Sequence, residues 1–385
     1  MYNAIEPMED HMILLIERFI EKLIKESTPE RPIWNIESLK SGKTAHWNYI
    51  DGCMITSLIE LYKVRKDQKF IEFSKHFIDY FIEPNGTIKG YQIDNFNVDD
   101  ICEGRVLFDL YHLSGDEKYR KAIDFIYEHV KKQPRTQSGN FWHKKIYPNQ
   151  VWLDGLFMAQ PFYTRYETIF NQHQNYDDII SQFEHVRLLM FDKQKQLYVH
   201  GYDSTKSIFW ADPVTGKSKN FWLRAMGWYV VAIIDVMSYM EDPRVNTFFK
   251  PLFKEIIDGL LQYQDPITQM FYQVVDMPKE PGNYVETSGS ALISYAILKG
   301  YRLGVLDQTY QEKGLAIFHG IVKMYLTEKD GDLNLGGICL VAGLGPENNT
   351  RRDGSYAYYI SEPIVENDAK GVGPLIMAYT EFIQT

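Results

Sequence analysis

Two stretches of the chain repeat one another 49 residues apart. Glu60-Leu-Tyr-Lys-Val-Arg-Lys-Asp-Gln-Lys-Phe aligns with Asp109-Leu-Tyr-His-Leu-Ser-Gly-Asp-Glu-Lys-Tyr, so that Leu61 matches Leu110, Asp67 matches Asp116 and Phe70 matches Tyr119. In each copy a helical pattern stops, a short polar turn follows and a second amphipathic helix begins. After Asp116, for example, Tyr119, Ala122, Ile123, Ile126 and Val130 fall on one helical face. Looser copies occupy 163–186, 228–261 and 290–322. A repeat of this length commits a chain to stacked helical hairpins. The periodicity predicts twelve helices, near 8–26, 48–64, 68–82, 99–114, 117–131, 152–169, 175–191, 222–240, 247–263, 287–303, 308–326 and 370–383. Strand-like alternation is confined to short pieces near Ile146 and Tyr272.

Helical hairpins either stack as an open solenoid or close into a six-hairpin toroid, and the placement of the unusual residues favours closure. Polar–aromatic clusters open the even-numbered helices, at 46–51, 97–105, 150–155, 222–228, 283–290 and 370–373. Hairpin connectivity puts these starts at one end of the molecule. In a closed ring they converge on one cleft, whereas in a solenoid they are strung along a line. The expected fold is therefore all-α, an (α/α)6 barrel. No Pro/Gly/Ser-rich linker interrupts it, so a single domain over 1–385 is expected.

Aromatic residues make up 15% of the chain, many beside Asp, Asn, Gln or His. Such clusters suit a sugar cleft, where rings stack on pyranose faces and polar neighbours bond the hydroxyls; rings with a satisfied polar handle also serve as core. The net charge of −10, without any basic run, argues against a nucleic-acid partner. Three widely spaced cysteines, Cys53, Cys102 and Cys339, form neither a disulfide framework nor a zinc motif. The first 27 residues lack the layout of a signal peptide. No stretch approaches the roughly 20 apolar residues of a membrane span. A cytoplasmic location is expected, as a monomer or weak homo-oligomer. No histidine motif at metal spacing, Walker loop, dinucleotide fingerprint or GxSxG elbow is present, so no metal and no cofactor are expected.

The acid candidates lie in two of the clusters. Asp154 sits among Trp152, Leu153, Leu156 and Phe157. Apolar surroundings raise a carboxyl pKa and suit a general acid, while a position at a helix N-terminus lowers it. Both readings stand open. Asp99 and Asp100 precede a helix, where at least one is expected to act as N-cap. Two carboxyls at the starts of neighbouring inner helices can also face each other, as glycosidic chemistry requires. Arg224, between Trp222 and Trp228, has the planar fork that grips a carboxylate, or caps a neighbouring helix. His143 and His200 occupy aromatic loops.

The chain resembles the unsaturated rhamnogalacturonyl hydrolases of glycoside hydrolase family 105. The strings that carry the resemblance are Pro134-Arg-Thr with Gly139-Asn-Phe-Trp-His, Tyr147-Pro-Asn-Gln-Val-Trp-Leu-Asp-Gly-Leu-Phe-Met-Ala, Asn283-Tyr-Val-Glu-Thr-Ser-Gly-Ser, Val341-Ala-Gly-Leu-Gly, Arg352-Asp-Gly-Ser, Ser361-Glu-Pro and Asn367-Asp-Ala-Lys-Gly-Val-Gly. They run in order over most of the chain. The resemblance implies an (α/α)6 barrel that hydrates the C4=C5 enol ether of a terminal unsaturated uronic acid on a short, lyase-generated oligosaccharide such as a disaccharide. It implies Asp154 as proton donor and Asp99 as the second acidic position. It places His143, Trp152, His200, Trp222, Arg224 and Trp228 in the cleft, with Arg224 and His200 on the uronate carboxylate. Where many relatives read Arg-Gly-Asn-Gly-Trp, this chain has Arg224-Ala-Met-Gly-Trp, and a changed pocket around Ala225 and Met226 is expected. Three alternatives are an unsaturated glucuronyl hydrolase with a non-rhamnose aglycone, a sugar epimerase using His143 and His200 as a facing pair, and a non-enzymatic helical-repeat scaffold.

Overall fold

The computed structural model describes residues 6–385; the first five residues of the expected 1–385 domain lie outside the described residues. Helix α1 (Glu6–Glu26) leads through the short α2 (Ile36–Ser41) into α3 (Tyr49–Arg65). There follow α4 (Gln68–Asp79), α5 (Asp99–Cys102), α6 (Arg105–Ser114), α7 (Glu117–Lys132), α8 (Leu153–Phe170), α9 (Tyr176–Met190), α10 (Leu223–Tyr239) and α11 (Lys250–Leu261). The chain ends with α12 (Thr287–Arg302), α13 (Gln308–Tyr325), α14 (Tyr356–Ser361) and α15 (Ala369–Phe382).

The packing order is a ring. Helix α3 lies against α5 and α6, α5 and α6 against α8, α8 against α10, α10 against α12, α12 against α15, and α15 returns to α3. Helices α4, α7, α9, α11 and α13 pack outside their inner partners. Helix α1 is tied to α15 by the Tyr379 hydroxyl, which donates to Glu17 at 2.9 Å. This is an (α/α)6 barrel.

The sequence of each ring explains its place. Helix α10 is buried without interruption over 223–237, α12 over 287–300 and α15 over 369–381. A helix that is apolar all round must be covered on every side. A closed ring does this by giving each inner helix two inner neighbours and an outer one; a solenoid leaves the flanks of its end helices open. The outer α7 buries one face, including the Tyr119, Ala122, Ile123, Ile126 and Val130 stripe. At the seam between α15 and α3 the backbones nearly touch: a Cβ on Gly373 would lie 2.8 Å from the Cys53 carbonyl oxygen. Deeper in the barrel, Asp235 of α10 accepts from Lys299 Nζ at 2.7 Å and the Tyr295 hydroxyl at 2.9 Å, and pairs with Arg105 of α6. One buried carboxylate thus ties three inner helices.

Departures from the expected elements have local causes. The helix expected over 99–114 breaks at Glu103 and Gly104. There the bonds tighten to three-residue spacing (Gly104 N–H to Ile101 O, Leu107 N–H to Gly104 O), while the buried Glu103 accepts the Asn48 N–H at 2.9 Å. Ile146 lies in a turn rather than a strand, and Tyr272 makes a single bridge to Val285. A hairpin at Leu326–Lys329 and Asp332–Leu335 was not expected. Its turn, Asp330-Gly331, has both φ angles positive (54° and 81°), the Asp-Gly hairpin signal.

Candidate active site

The site is assembled by backbone pairing between distant loops. The strand Gln150–Trp152 runs directly into α8 and pairs antiparallel with Gly201–Asp203, Trp152 opposite Gly201. The Leu153 N–H continues this pairing by donating to the His200 carbonyl at 3.1 Å. Register alone therefore sets His200 beside Asp154, and Nε2 lies 3.2 Å from Asp154 Oδ2 without the alignment of a hydrogen bond. Gly201 permits this approach, because a Cβ there would meet Leu344 at 2.4 Å and the Trp152 ring at 3.1 Å. His143 joins the other side. Its N–H donates to the Gln150 carbonyl at 2.9 Å and its carbonyl accepts the Val98 N–H at 3.2 Å. The turn that carries Asp99 is thereby brought to the start of α8.

Aromatic rings wall this junction. Trp152 stacks on His143 (4.2 Å between centroids, 17° between planes) and meets His200 edge-on at 5.5 Å. His200 packs on Trp222 at 4.8 Å, and Trp222 lies parallel to Tyr359. Trp152 thus contacts both histidines, stacked on His143 and in an edge contact with His200.

Charge is distributed unequally. Burial pushes Asp154 up, but His200 and then His143 outweigh it and hold the carboxyl below its usual range. Of the two directions left open for Asp154, the neighbouring histidines thus give the lowered one, and the side chain rests as a carboxylate. His143 is pushed down to about 4, chiefly by burial, so its imidazole is neutral. Its Nε2 lies 3.4 Å from Asp99 Oδ1, and Asp99 Oδ2 is 2.5 Å from Lys144 Nζ. Burial works against the lysine's charge, yet Asp99 keeps its pKa raised. Neither Asp99 nor Asp100 caps α5, contrary to expectation. Asn97 accepts the Asp99 N–H at 3.2 Å, which leaves the Asp99 carboxylate free to turn toward His143 and Lys144.

Three further expectations change. Arg224 is buried and spends its fork on the Cys339 carbonyl (2.5 Å), the Leu340 carbonyl (3.4 Å) and the Ser288 hydroxyl (3.2 Å). It fixes the loop that walls the cleft and has no open face for a carboxylate. Trp228, more than a turn deeper in α10, stacks on Phe157 at 4.3 Å in the barrel core. Ala225 and Met226 are fully buried, so their effect on a pocket runs through packing rather than contact. Trp222 stays at the site, its Nε1 bonded to Gln273 at 3.2 Å.

Three residues were not singled out from the sequence. Lys144 follows His143 directly. The Tyr359 hydroxyl lies 2.7 Å from His200 Nδ1. Arg352 meets Trp152 over Gly343, where a Cβ would lie 3.3 Å from both its Nη1 and the indole ring. Among the described residues, no carboxylate pairs with Arg352. Both Tyr359 and Arg352 lie in the C-terminal third, Arg352 in the Arg352-Asp-Gly-Ser string and Tyr359 seven residues beyond it.

Residues 15–385 match Glycosyl Hydrolase Family 88, which defines the protein as a glycosidase. The C. acetobutylicum glycoside hydrolase from family 105 superposes with a TM-score of 0.88 at 38% identity, covering 96% of this chain and 99% of that one. A protein of Agrobacterium fabrum, Atu3128, is 35% identical over 229 residues, 58% of this chain and 97% of its own length. The unsaturated rhamnogalacturonyl hydrolase YesR of Bacillus subtilis is 23% identical over 277 residues, 70% of this chain and 74% of that protein. The chain belongs to the unsaturated uronyl hydrolases of glycoside hydrolase families 88 and 105.

Proposed function

We propose that the protein removes a terminal 4,5-unsaturated uronic acid from a short oligosaccharide of the rhamnogalacturonan or pectin type, with Asp154 as the proton donor. The observation that carries the reading is the position of Asp154 at the start of an inner helix, beneath Trp152, with His200 against Oδ2 and Asp99 beyond His143. Protonation of C4 leaves an oxocarbenium-like centre at C5. Water adds there, the hemiketal opens, and the aglycone departs as the sugar rearranges to a 4-deoxy-5-keto uronate. Asp99, held by Lys144, supplies negative charge beside the developing cation. Arg352 takes the uronate carboxylate over the Trp152 ring, in place of Arg224.

A carboxylate at rest must gain its proton when substrate arrives. The entering uronate brings a like charge and displaces water, and both raise the Asp154 pKa. The donor is thus loaded by the substrate that needs it.

The test follows the ultraviolet band of the enol ether during turnover of lyase-generated disaccharides, with wild type beside Asp154→Asn. The band should vanish with wild type and decay about two to four decades more slowly with the variant. Elimination erases the C4 stereocentre by which galacturonate and glucuronate differ, so a panel that varies the aglycone, rhamnose against other sugars, separates the rhamnogalacturonan-type reading from the glucuronyl one. Unimpaired turnover by Asp154→Asn would overturn the assignment of the acid.

A further inference from the structure

Beyond Asp99 the cleft opens outward between the 35–50 segment and Leu340–Val341, as a space of about 430 Å³. Its carboxylates are already occupied. Glu37 is paired with Lys370 at 2.6 Å and Asp99 with Lys144 at 2.5 Å. Asp100 accepts from Asn97 at 2.8 Å and is pushed up to about 7, by burial first and then by the Asp99 charge. Two cations in the same wall, Lys40 and Lys43, are exposed, and no carboxylate pairs with either among the described residues.

The two lysines stand on a fixed base. Lys40 lies in the last turn of α2 and Gly42 closes that helix with φ at 63°, which turns Lys43 back. The helix start is held by Asn35, which caps the Ser38 N–H, and the adjoining Trp34 Nε1 donates to Asp51 at 2.8 Å. The wall between the lysines and Asp99 offers neutral hydroxyl and amide groups, Ser38, Ser41 and Asn97 among them. A chain of net charge −10 repels a polyanionic sugar unless cations are placed where it docks.

We propose that the outer end of this cleft is an anion-accepting subsite. It takes a carboxylate or sulfate carried by the sugar chain beyond the unsaturated uronate, with Lys40 and Lys43 supplying the charge. The inference rests on the uronyl hydrolase reading and deepens it: the preferred substrate is acidic at two places, not only at its unsaturated end.

The test compares three unsaturated oligosaccharides matched in length, whose remainder is neutral, uronate-bearing or sulfated. For wild type, kcat/KM should favour an acidic remainder about five- to tenfold through KM, the scale of two exposed charge contacts. That ratio should shrink between about 20 and 300 mM salt as screening shortens. In the Lys40→Ala/Lys43→Ala variant the ratio of acidic to neutral substrate should fall to about one. Which acidic member loses more distinguishes the carboxylate source from the sulfate source. Equal kcat/KM for neutral and acidic members in wild type, or an undiminished ratio in the double variant, overturns the subsite. Calorimetric binding of the same three compounds to Asp154→Asn reads the subsite without turnover. A panel on which wild type shows no turnover therefore refutes the proposed reaction, while the binding ratio still decides the subsite.

Discussion

The hydroxyl of Tyr359 lies 2.7 Å from Nδ1 of His200. Burial raises the tyrosine pKa well above its usual value, so the hydroxyl keeps its proton and is available to Nδ1 as a donor. A ring that accepts at Nδ1 carries its own hydrogen on Nε2, the nitrogen 3.2 Å from Asp154. Tyr359 is thus a positioning residue that sets which face of His200 meets the acid. Tyr359→Phe should lower kcat by about ten- to a hundredfold with little change in KM, the range for lost partners behind a functional ligand. It should also change the pH profile of kcat/KM. A variant that loses only melting temperature, with kcat and pH profile intact, would reduce the contact to a structural one.

Lys144 holds Asp99 at 2.5 Å, and the neutral His143 cannot replace its charge. Lys144→Met should lower kcat/KM by about ten- to a hundredfold, the cost of a lost charge-assisted contact. Lys144→Arg should recover part of it. Steady-state kinetics of the two variants on one substrate give the answer; equal damage from both substitutions argues that shape, not charge, matters there.

Arg352 and Arg224 should separate cleanly. Removing the Arg352 fork should raise KM for the unsaturated disaccharide roughly ten- to a hundredfold with a smaller effect on kcat. Arg224→Lys cannot span two carbonyls and a hydroxyl. It should show first as a lower melting temperature, because buried acceptors are left unpaired. Kinetics and thermal melts of both variants decide the matter; a larger KM effect at Arg224 would restore the original assignment of the carboxylate.

His129 provides a test of stability against pH. It is fully buried between the Tyr91 hydroxyl and Gln133, and burial pushes it down to about 4. Its neutral form is favoured in the folded state, so its contribution is complete above an unfolded value near 6.5 and is lost as pH falls toward 4. At pH 5 the loss is about 2 kcal/mol. Asp100, pushed up to about 7, works in the opposite direction, so the wild-type curve alone does not isolate the histidine. Denaturant titrations at pH 7.5 and pH 5 should show His129→Gln losing about 2 kcal/mol less than wild type on acidification. Parallel pH dependences would refute the assignment.

Gly373 faces the Cys53 carbonyl across the closing seam of the barrel. Gly373→Ala should destabilise the fold by about 1–3 kcal/mol, since a backbone oxygen cannot rotate aside. A melting temperature equal to wild type would show that α3 and α15 separate easily.

Much of the architecture was legible because helix period and burial are local properties of the chain. The stripe Tyr119–Ala122–Ile123–Ile126–Val130 marks α7 as an outer helix before any neighbour is known, and the apolar run from Leu223 marks α10 as an inner one. Asp154 stood out because a carboxyl among Trp152, Leu153 and Phe157 is unusual in any fold. The break at Glu103 was not legible, because it depends on Asn48 arriving from another helix. Trp228 and Trp222 look alike in sequence, yet six positions along one helix separate a core ring on Phe157 from a ring against His200.

The sequence by itself determined the number of hairpins, the inner and outer roles of their helices, and the end at which the polar clusters gather. Each of these follows from periodicity and composition within a few turns of chain. Only the tertiary structure decided which of the clustered groups carry free charge. Arg224 is spent on the Cys339 and Leu340 carbonyls, and Asp154 is held below its usual range by His200. Arg352 arrives over Trp152 with no carboxylate paired to it among the described residues. A side chain's charge and reach are written in its identity, but its protonation and availability depend on partners that only closure of the ring brings within a few ångströms.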